Sequence, residues 1–364
     1  MLNFNSIRRR TREVRIGGVT VGGTSPIAVQ SMTNTDTHDR EATLNQVRQL
    51  EEAGCDVVRI TFPDPEAADT IPFLKEAGIK VPLVADIHFD YRIALRCAEL
   101  GIDKIRINPG NIGNADRVAA VCRACRERRI PIRIGVNSGS VEKDLLQTYG
   151  GPVPEALVES AFRHIRMLEA NDFTDILVSI KSTDVRTTVL ANRMLAERCD
   201  YPIHLGLTES GTLERGLVKS SAGIGSLLLD GIGDTVRVSL TEDPVKEVDA
   251  ARQIFNALGL EGQSGLKLIC CPTCGRTRID LISLSHRFDS AIRAEGLERV
   301  PVTVALMGCI VNGPGEAREA DFGIAGGVGE ALFFRHGEPD RKIAESEILP
   351  VLLDEIRKAI SKTE

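Results

Sequence analysis

Short apolar runs of strand length recur along the first 240 residues and alternate with longer segments of mixed polarity. Runs of this length are typical of buried strands, and the intervening segments are long enough to form helices. The eight predicted strands occupy residues 27–32, 57–61, 83–87, 104–107, 132–136, 176–180, 203–207 and 235–240. Representative helical segments are residues 39–53, 91–100, 115–129 and 154–170. Eight βα units in about 250 residues predict a (β/α)8 TIM barrel rather than an open doubly wound sheet.

The segments on either side of this repeat predict the remaining domain organisation. Alternating residues around Gly17 and Gly18 indicate an N-terminal hairpin. We assign residues 1–258 to the barrel domain, residues 259–265 to a polar linker and residues 266–364 to a smaller α+β domain. The smaller domain's expected elements are strands at 302–307 and 322–325, and a terminal helix near 341–362.

Polar and charged residues end the predicted strands, where a barrel carries its active site. They include four arginines and a lysine: Arg59, Arg106, Arg133, Arg237 and Lys181. The other polar residues at strand ends are Gln30, Ser31, Asp86, His88, Asn108, Asn137, Ser179, Ser182, Thr208, Glu209 and Ser239. Cations in one mouth repel each other unless a polyanion lies between them, and guanidinium groups match phosphate oxygens. We therefore predict a phosphate- or diphosphate-binding mouth; the alternative is an internal ion-pair network with Asp86 and Glu209.

The smaller domain contains a Cys-x-x-Cys pair, Cys271 and Cys274, and a distant Cys309 in a Gly/Pro-rich segment. Three such cysteines are typical of a metal centre. A structural zinc site is one interpretation, but a second Cys pair or a paired His is missing. An iron–sulfur cluster is the other interpretation, and three cysteines leave one iron for a further ligand. That ligand could be Cys270, a carboxylate such as Glu316, or substrate.

The remaining cysteines are predicted to be structural. Cys270 precedes Cys271 in an extended segment, where neighbouring side chains point in opposite directions, so we expect Cys270 to face the core. Cys122 and Cys125 form a second Cys-x-x-Cys pair, but they lie in a predicted helix with no third ligand nearby. We interpret these two as packed apolar side chains.

Composition and motifs exclude several classes of protein. The net charge of −6 and the scattered basic residues provide no basic stripe for nucleic acid. No apolar run is long enough to predict a membrane span, and the basic start lacks a secretion signal, so we expect a cytoplasmic protein. The glycines between Gly211 and Gly225 do not have the spacing or context of a nucleotide-binding loop.

Several long segments resemble the 4-hydroxy-3-methylbut-2-enyl diphosphate synthases of the non-mevalonate isoprenoid pathway. These segments cover residues 28–34, 84–92, 106–113, 133–137, 271–274 and 312–316, so the likeness spans nearly the whole chain. The resemblance is to the bacterial short form, which has a barrel domain and a cluster domain without the middle domain of plant-type members.

The resemblance implies specific roles for residues of both domains. It implies a [4Fe-4S] cluster whose ligands are Cys271, Cys274, Cys309 and Glu316. It implies methylerythritol cyclodiphosphate as substrate, bound by Arg59, Arg106, Arg133, Asn137, Lys181 and Ser239. Asp86, His88 and Thr208 are further candidate substrate ligands because they end strands of the same mouth. Glu209 is expected near the reacting carbons, and Glu209 and Glu316 are the candidate catalytic residues.

The implied reaction is reductive ring opening and dehydroxylation to 4-hydroxy-3-methylbut-2-enyl diphosphate, with flavodoxin or ferredoxin as electron donor. A redox-neutral iron–sulfur dehydratase acting on a phosphorylated substrate is the alternative. The last barrel helix should end opposite the mouth, so the short linker reaches a second chain's mouth more easily than its own. We therefore expect a head-to-tail homodimer with active sites shared between chains, as the resemblance also implies.

Overall fold

The chain folds into two compact units in a computed structural model that describes residues 3–108, 110–260, 262, 265–310 and 317–360. One unit ends at Ile254 and the other begins at Phe255. This division falls within a helix, Pro244–Leu258, a few residues before the predicted linker. The domain limits at 258 and 266 stay a prediction. Within the described ranges, no helix is long and apolar enough to cross a membrane.

The first unit contains eight parallel strands that pair in a nearly closed ring. The barrel strands are β3 Ala28–Met32, β4 Val57–Thr61, β5 Leu83–Asp86, β6 Lys104–Ile107, β7 Ile132–Asn137, β8 Ile176–Lys181, β9 His204–Leu205 and β10 Thr235–Val236. Each strand from β3 to β8 pairs with the next, and β10 lies between β9 and β3. A parallel bridge between Val178 and Ile203 links the two ends of the sheet. The TIM-barrel prediction is confirmed.

Helices follow the barrel strands, as the alternating pattern predicts. The helices of this unit are α1 Phe4–Ile7, α2 Arg40–Glu52, α3 Thr70–Glu76, α4 Tyr91–Glu99, α5 Ala115–Arg128, α6 Lys143–Tyr149, α7 Pro154–Glu169, α8 Val185–Arg198, α9 Leu213–Leu229 and α10 Pro244–Leu258. Asp39, Asn114 and Asp184 cap α2, α5 and α8 by accepting a hydrogen bond from the backbone N–H three residues later. Cys122 and Cys125 are buried in α5, in agreement with packing roles.

The predicted N-terminal hairpin is confirmed and fills the amino-terminal end of the barrel. It consists of β1 Val14–Ile16 and β2 Val19–Val21, which pair antiparallel. Its buried side chains form one cluster with the first inward-facing residues of four barrel strands: Ala28, Val57, Val84 and Leu177. The hairpin thus closes this end with apolar side chains and leaves the polar positions toward the carboxyl ends of the strands.

Over its described residues, the second unit has a mixed five-stranded sheet and two helices, so the α+β prediction is confirmed. Its strands are β11 Lys267–Cys270, β12 Thr303–Met307, β13 Phe322–Gly326, β14 Glu330–Arg335 and β15 Glu338–Ala344. β11 to β13 pair parallel, and β13 to β15 pair antiparallel. The helices are α11 Leu281–Ala294 and α12 Ile348–Ile360. Their apolar faces pack in one core with Val304, Ile324 and Phe333 of the sheet.

The predicted start of the terminal helix at residue 341 is wrong. Residues 341–344 belong to β15, and α12 begins at Ile348. His336 and Gly337 both have positive φ and form the turn between β14 and β15. Cross-strand pairing therefore determines the structure of this polar segment, which has no helical periodicity of its own.

Candidate active site at the barrel mouth

The barrel interior is polar along most of its length. Alternate residues of each strand point inward, and the strand register places Arg59 beside Met32, and Arg106 beside both Asp86 and Arg133. Farther toward the mouth, Asn137 pairs in register with Lys181. Barrel interiors are usually filled by large branched apolar residues. The replacement of these by charged groups indicates a binding site.

A cavity of about 130 Å³ lies among the inward-facing residues at the carboxyl ends of the strands. Its lining residues are Arg59, Asp86, His88, Arg106, Arg133, Asn137, Ser179, Lys181, Leu207, Thr208, Arg237 and Ser239. The structure therefore brings together nine of the ten predicted substrate-binding residues, because only Glu209 of that set is absent from the lining. Their convergence is a structural fact, and their role in binding stays a prediction.

The lining carries five cationic side chains and a single carboxylate, Asp86. Asp86 Oδ1 lies 3.1 Å from Arg106 Nη1, and its Oδ2 lies 3.9 Å from Arg59 Nε. Burial alone would raise the pKa of Asp86, but the charges of Arg59 and Arg106 lower it to about 2. Asp86 and the buried Glu247, which pairs with Arg237 from outside the lining, are two carboxylates beside five cations, an excess of positive charge that favours an anion site over an internal ion-pair network.

Two of the cations retain unused hydrogen-bonding capacity. Arg133 donates from Nη1 to Ser179 Oγ at 3.1 Å, while its buried Nε and Nη2 have no partner among the described residues. The Lys181 ammonium likewise donates no hydrogen bond to, and forms no ion pair with, the part of the chain that the structure describes. Burial and then the neighbouring arginines lower the pKa of both groups well below their usual values. An oxyanion in the cavity would satisfy these donors.

Glu209 lies outside the cavity lining and is exposed. It directly follows Thr208, which does line the cavity, and its backbone adopts the left-handed region with φ 53°. A non-glycine residue in this region carries a conformational cost that is common at functional sites. The candidate catalytic role of Glu209 stays a prediction, with this backbone conformation as a supporting observation.

Arg237 and Glu247 form a pair that the sequence does not predict. Arg237 is one of the cations of the predicted phosphate-binding mouth but is not among the predicted substrate ligands. It lines the cavity and binds the buried carboxylate of Glu247 through two hydrogen bonds of 2.9 Å. The sequence contains only a weak signal for this pair. Glu247 lies in the first turn of a helix, where an acidic residue ordinarily interacts only with the helix dipole.

The strand register of the second unit carries its cysteines to one edge of the sheet. Cys270, the last residue of β11, pairs in register with Leu306 of β12. Cys271 therefore follows the carboxyl end of β11, and Cys309 follows the carboxyl end of the adjacent parallel strand β12. The Cys271 N–H donates to the Leu306 carbonyl at 3.0 Å. Farther along, the Arg278 N–H donates to the Gly308 carbonyl at 2.9 Å, which connects the Cys271–Cys274 turn to the segment before Cys309.

The thiols suit an iron–sulfur centre in chemistry and in strand placement. Cys274 is exposed, Cys271 is half-buried, and Cys309 is buried. Over the described ranges, however, no three His, Cys, Asp or Glu side chains are grouped as ligands of one metal ion. Glu316, the predicted oxygen ligand, lies outside the described residues. The four-ligand set therefore stays a prediction.

The expectation that Cys270 faces the core is wrong. Its side chain is exposed, while Cys271 packs against the apolar clusters of the second unit. The burial of β11 does not alternate: its end residues, Lys267 and Cys270, are exposed and the two residues between them are half-buried, because β11 is an edge strand.

Comparison with known proteins covers both units. The TIM-barrel domain of GcpE matches residues 11–252, and the C-terminal domain of GcpE protein matches residues 267–358. The chain belongs to the GcpE family. These two GcpE matches leave only short segments of the chain unassigned.

Relatives of the GcpE chain are similar over nearly their full length. A protein from Caldanaerobacter subterraneus subsp. tengcongensis is 53% identical over 98% of this chain and 99% of its own length. One from Maridesulfovibrio salexigens is 55% identical over 96% of each chain. Both are named 4-hydroxy-3-methylbut-2-en-1-yl diphosphate synthase (flavodoxin). The family resemblance inferred from the sequence is confirmed.

Proposed function

We propose that this GcpE chain converts methylerythritol cyclodiphosphate into 4-hydroxy-3-methylbut-2-enyl diphosphate, the activity after which its relatives are named. The observation that supports this most directly is the cavity lined by five cations and one carboxylate at the barrel mouth. A diphosphate provides the negative charge that this lining lacks, and its oxygens match guanidinium geometry. The redox-neutral dehydratase is not favoured, because the relatives are named as flavodoxin-dependent synthases.

The barrel residues bind and orient the cyclic diphosphate. Arg59, Arg106, Arg133 and Lys181 contact its phosphate oxygens, and Asn137 and Ser239 donate further hydrogen bonds. Asp86, His88 and Thr208 complete the lining, with Asp86 holding Arg106 in place through their 3.1 Å ion pair. Fixing the substrate in this way lowers the entropic part of the reaction barrier. It also screens the phosphate charge as electrons arrive at the substrate.

The reaction adds two electrons and one proton to the substrate dianion and releases one water molecule. The ring C–O bond to phosphate breaks, a second C–O bond breaks as the hydroxyl leaves, and the product carries three negative charges. Glu209 is the group we assign to proton delivery or electrostatic support of the leaving oxygen, since it follows the cavity residue Thr208.

Cys271, Cys274, Cys309 and Glu316 would hold a [4Fe-4S] cluster. When bound, such a cluster supplies electrons one at a time and a Lewis-acidic iron. Glu316 would be the exchangeable ligand of this set, because a carboxylate holds iron less tightly than a thiolate does. Exchangeable binding of this kind is the catalytic role we assign to Glu316.

Flavodoxin is the electron donor we propose, with ferredoxin as the second possibility. We further propose a homodimer in which the cysteine-bearing domain of one copy completes the barrel mouth of the other. The shortness of the linker after the last barrel helix supports this arrangement.

The decisive experiment is an anaerobic assay of the purified, iron-loaded chain. With methylerythritol cyclodiphosphate and reduced flavodoxin, we expect mass spectrometry to detect 4-hydroxy-3-methylbut-2-enyl diphosphate. Omission of the reductant should abolish product. Failure of fully iron-loaded protein to form this product, or product formation without any reductant, would overturn the proposed function.

A further inference from the structure

Glu247 is a buried carboxylate outside the cavity lining, and two of its four hydrogen bonds come from one cavity residue, Arg237. It lies in the first turn of α10 and is 3% exposed. Its Oε2 accepts from Arg237 Nε at 2.9 Å and from Ser31 Oγ at 2.7 Å. Its Oε1 accepts from Arg237 Nη2 at 2.9 Å and from the Leu240 N–H at 3.1 Å. Each carboxylate oxygen therefore has two donors.

These contacts fix one edge of the Arg237 guanidinium. Nε and Nη2 point at Glu247, whereas Nη1 lies 3.5 Å from the Met32 sulfur in the upper barrel. The fork geometry of arginine leaves the Nη1 side of the group available to the cavity that Arg237 lines. The orientation of Arg237 is thus determined by a residue that does not itself line the cavity.

Arg59 provides a contrast within the same lining. Its Nε and Nη2 donate to the Met32 sulfur at 3.1 and 2.8 Å, and its Nε lies 3.9 Å from Asp86 Oδ2. A thioether is a weak acceptor, so Arg59 is held less firmly than Arg237. Both arginines contact the Met32 sulfur, but only Arg237 is also held by the Glu247 carboxylate.

Structural support of the fold is the simpler interpretation of Glu247. A buried ion pair adds little to stability because the desolvation of both charges offsets their attraction. The carboxylate of Glu247, on α10, accepts from donors of two other elements: Ser31 on β3, and Arg237 and Leu240 in the segment after β10. Such a network restricts the orientation of the Arg237 side chain more than it stabilises the fold. Arg237 in turn faces the proposed anion site.

We propose that Glu247 is a positioning residue that presents the Nη1 side of Arg237 to a bound phosphate group. The identity of the natural ligand rests on the proposed function, whereas phosphate binding itself can be measured with inorganic pyrophosphate. Replacement of Glu247 should therefore weaken phosphate binding mainly through Arg237.

A double-mutant cycle on the iron-loaded enzyme tests this coupling. We expect Glu247→Gln to weaken pyrophosphate binding about tenfold by calorimetry, as for loss of one oriented charge-assisted contact. In an Arg237→Gln background the same change should have no further effect. Glu247→Asp, which keeps the charge on a shorter side chain, should recover part of the affinity. Glu242→Gln is the matched control, because Glu242 pairs with Lys246 on the same segment.

Kinetics separate positioning from a loss of folding. For Glu247→Gln we expect KM for methylerythritol cyclodiphosphate to rise about tenfold while kcat changes less than about twofold. An equal loss of pyrophosphate affinity in the presence and absence of Arg237, or wild-type affinity in Glu247→Gln, overturns the proposal. A wild-type enzyme that binds pyrophosphate without turning over the cyclic diphosphate would instead refute the proposed function alone.

Discussion

Gly135 lies directly against the guanidinium group of Arg106. A Cβ on Gly135 would come within 2.7 Å of Arg106 Nη2 and 2.9 Å of its Cζ. Its three nearest contacts are all with this one flexible side chain. The absence of a side chain at Gly135 therefore creates the space that Arg106 occupies beside Asp86.

Gly135→Ala should displace Arg106 while leaving the barrel folded. The displacement breaks the 3.1 Å contact with Asp86 and moves one phosphate-binding cation. We expect kcat/KM for the cyclic diphosphate to fall about 10- to 100-fold, because substrate positioning contributes strongly to rate. Circular dichroism should show an unchanged fold. Gly139→Ala is the control, since a Cβ there meets no atom within 4 Å; equal losses in both variants would contradict this account.

Substrate binding should be accompanied by proton uptake at Lys181. Burial and then Arg133 and Arg59 lower the pKa of this ammonium group in the free protein, so it loses its proton at a lower pH than an exposed lysine. The other charges that act on it are Arg237, which also lowers the pKa, and Glu247, which raises it. A bound phosphate favours the charged form, so binding raises the pKa again.

Calorimetry in two buffers of different ionisation enthalpy measures this uptake. The cyclic diphosphate has no group that titrates near neutral pH, so protons taken up on binding enter the protein. We expect uptake near and above the lowered pKa and its disappearance at lower pH, where Lys181 is already charged. Lys181→Met should abolish the uptake, and Lys80→Met, at an exposed lysine, should not. Identical proton uptake in Lys181→Met would show that another group titrates.

Glu209→Gln should depress turnover without disturbing the metal centre. The change removes the carboxyl group that could transfer a proton while keeping the size of the side chain, so we expect kcat to fall about 100-fold. The visible spectrum of the iron-loaded protein should stay unchanged. Glu214→Gln, at another exposed glutamate nearby, is the control. Wild-type turnover in Glu209→Gln would remove this residue from the mechanism.

The local pattern of apolar and polar residues was sufficient to predict the barrel strands, but not the contacts that orient the charged side chains inside the barrel. All eight strands were located because an apolar run and its flanking helix are encoded together in sequence. Convergence of Arg59, Arg106 and Lys181 followed from the rule that strand ends share one face of a barrel. The Glu247 contact with Arg237 was not predictable, because it depends on the angle at which a helix packs on the barrel.

In the second unit, too, features that depend on tertiary packing could not be predicted from the sequence. The cysteine motif identified its chemistry, but the exposure of Cys270 depends on which side of an edge strand is covered. Likewise, β15 acquires its structure from pairing with β14 across a turn, which a polar sequence does not reveal. Tertiary packing determines both features.

Cys274→Ser and Cys270→Ser form a matched pair for testing the metal ligands. Both side chains are exposed, so neither change should disturb the core. We expect Cys274→Ser to lose most bound iron and sulfide after anaerobic purification, because serine replaces a thiolate ligand. Cys270→Ser should retain the wild-type content. Equal iron content in the two variants would contradict the assignment of Cys274 as a ligand.

Complementation between inactive variants tests whether active sites are shared between two copies of the chain. Lys181→Met damages only the barrel mouth, and Cys274→Ser damages only the proposed cluster, so each homodimer should be inactive. If the two parts come from different chains, a mixed dimer contains one intact site and one doubly defective site. Random assembly should then restore about a quarter of wild-type activity. Mixing Lys181→Met with Arg133→Met, both in the barrel, should restore none. A Lys181→Met and Cys274→Ser mixture without activity, despite proven subunit exchange, would place each complete site within one chain.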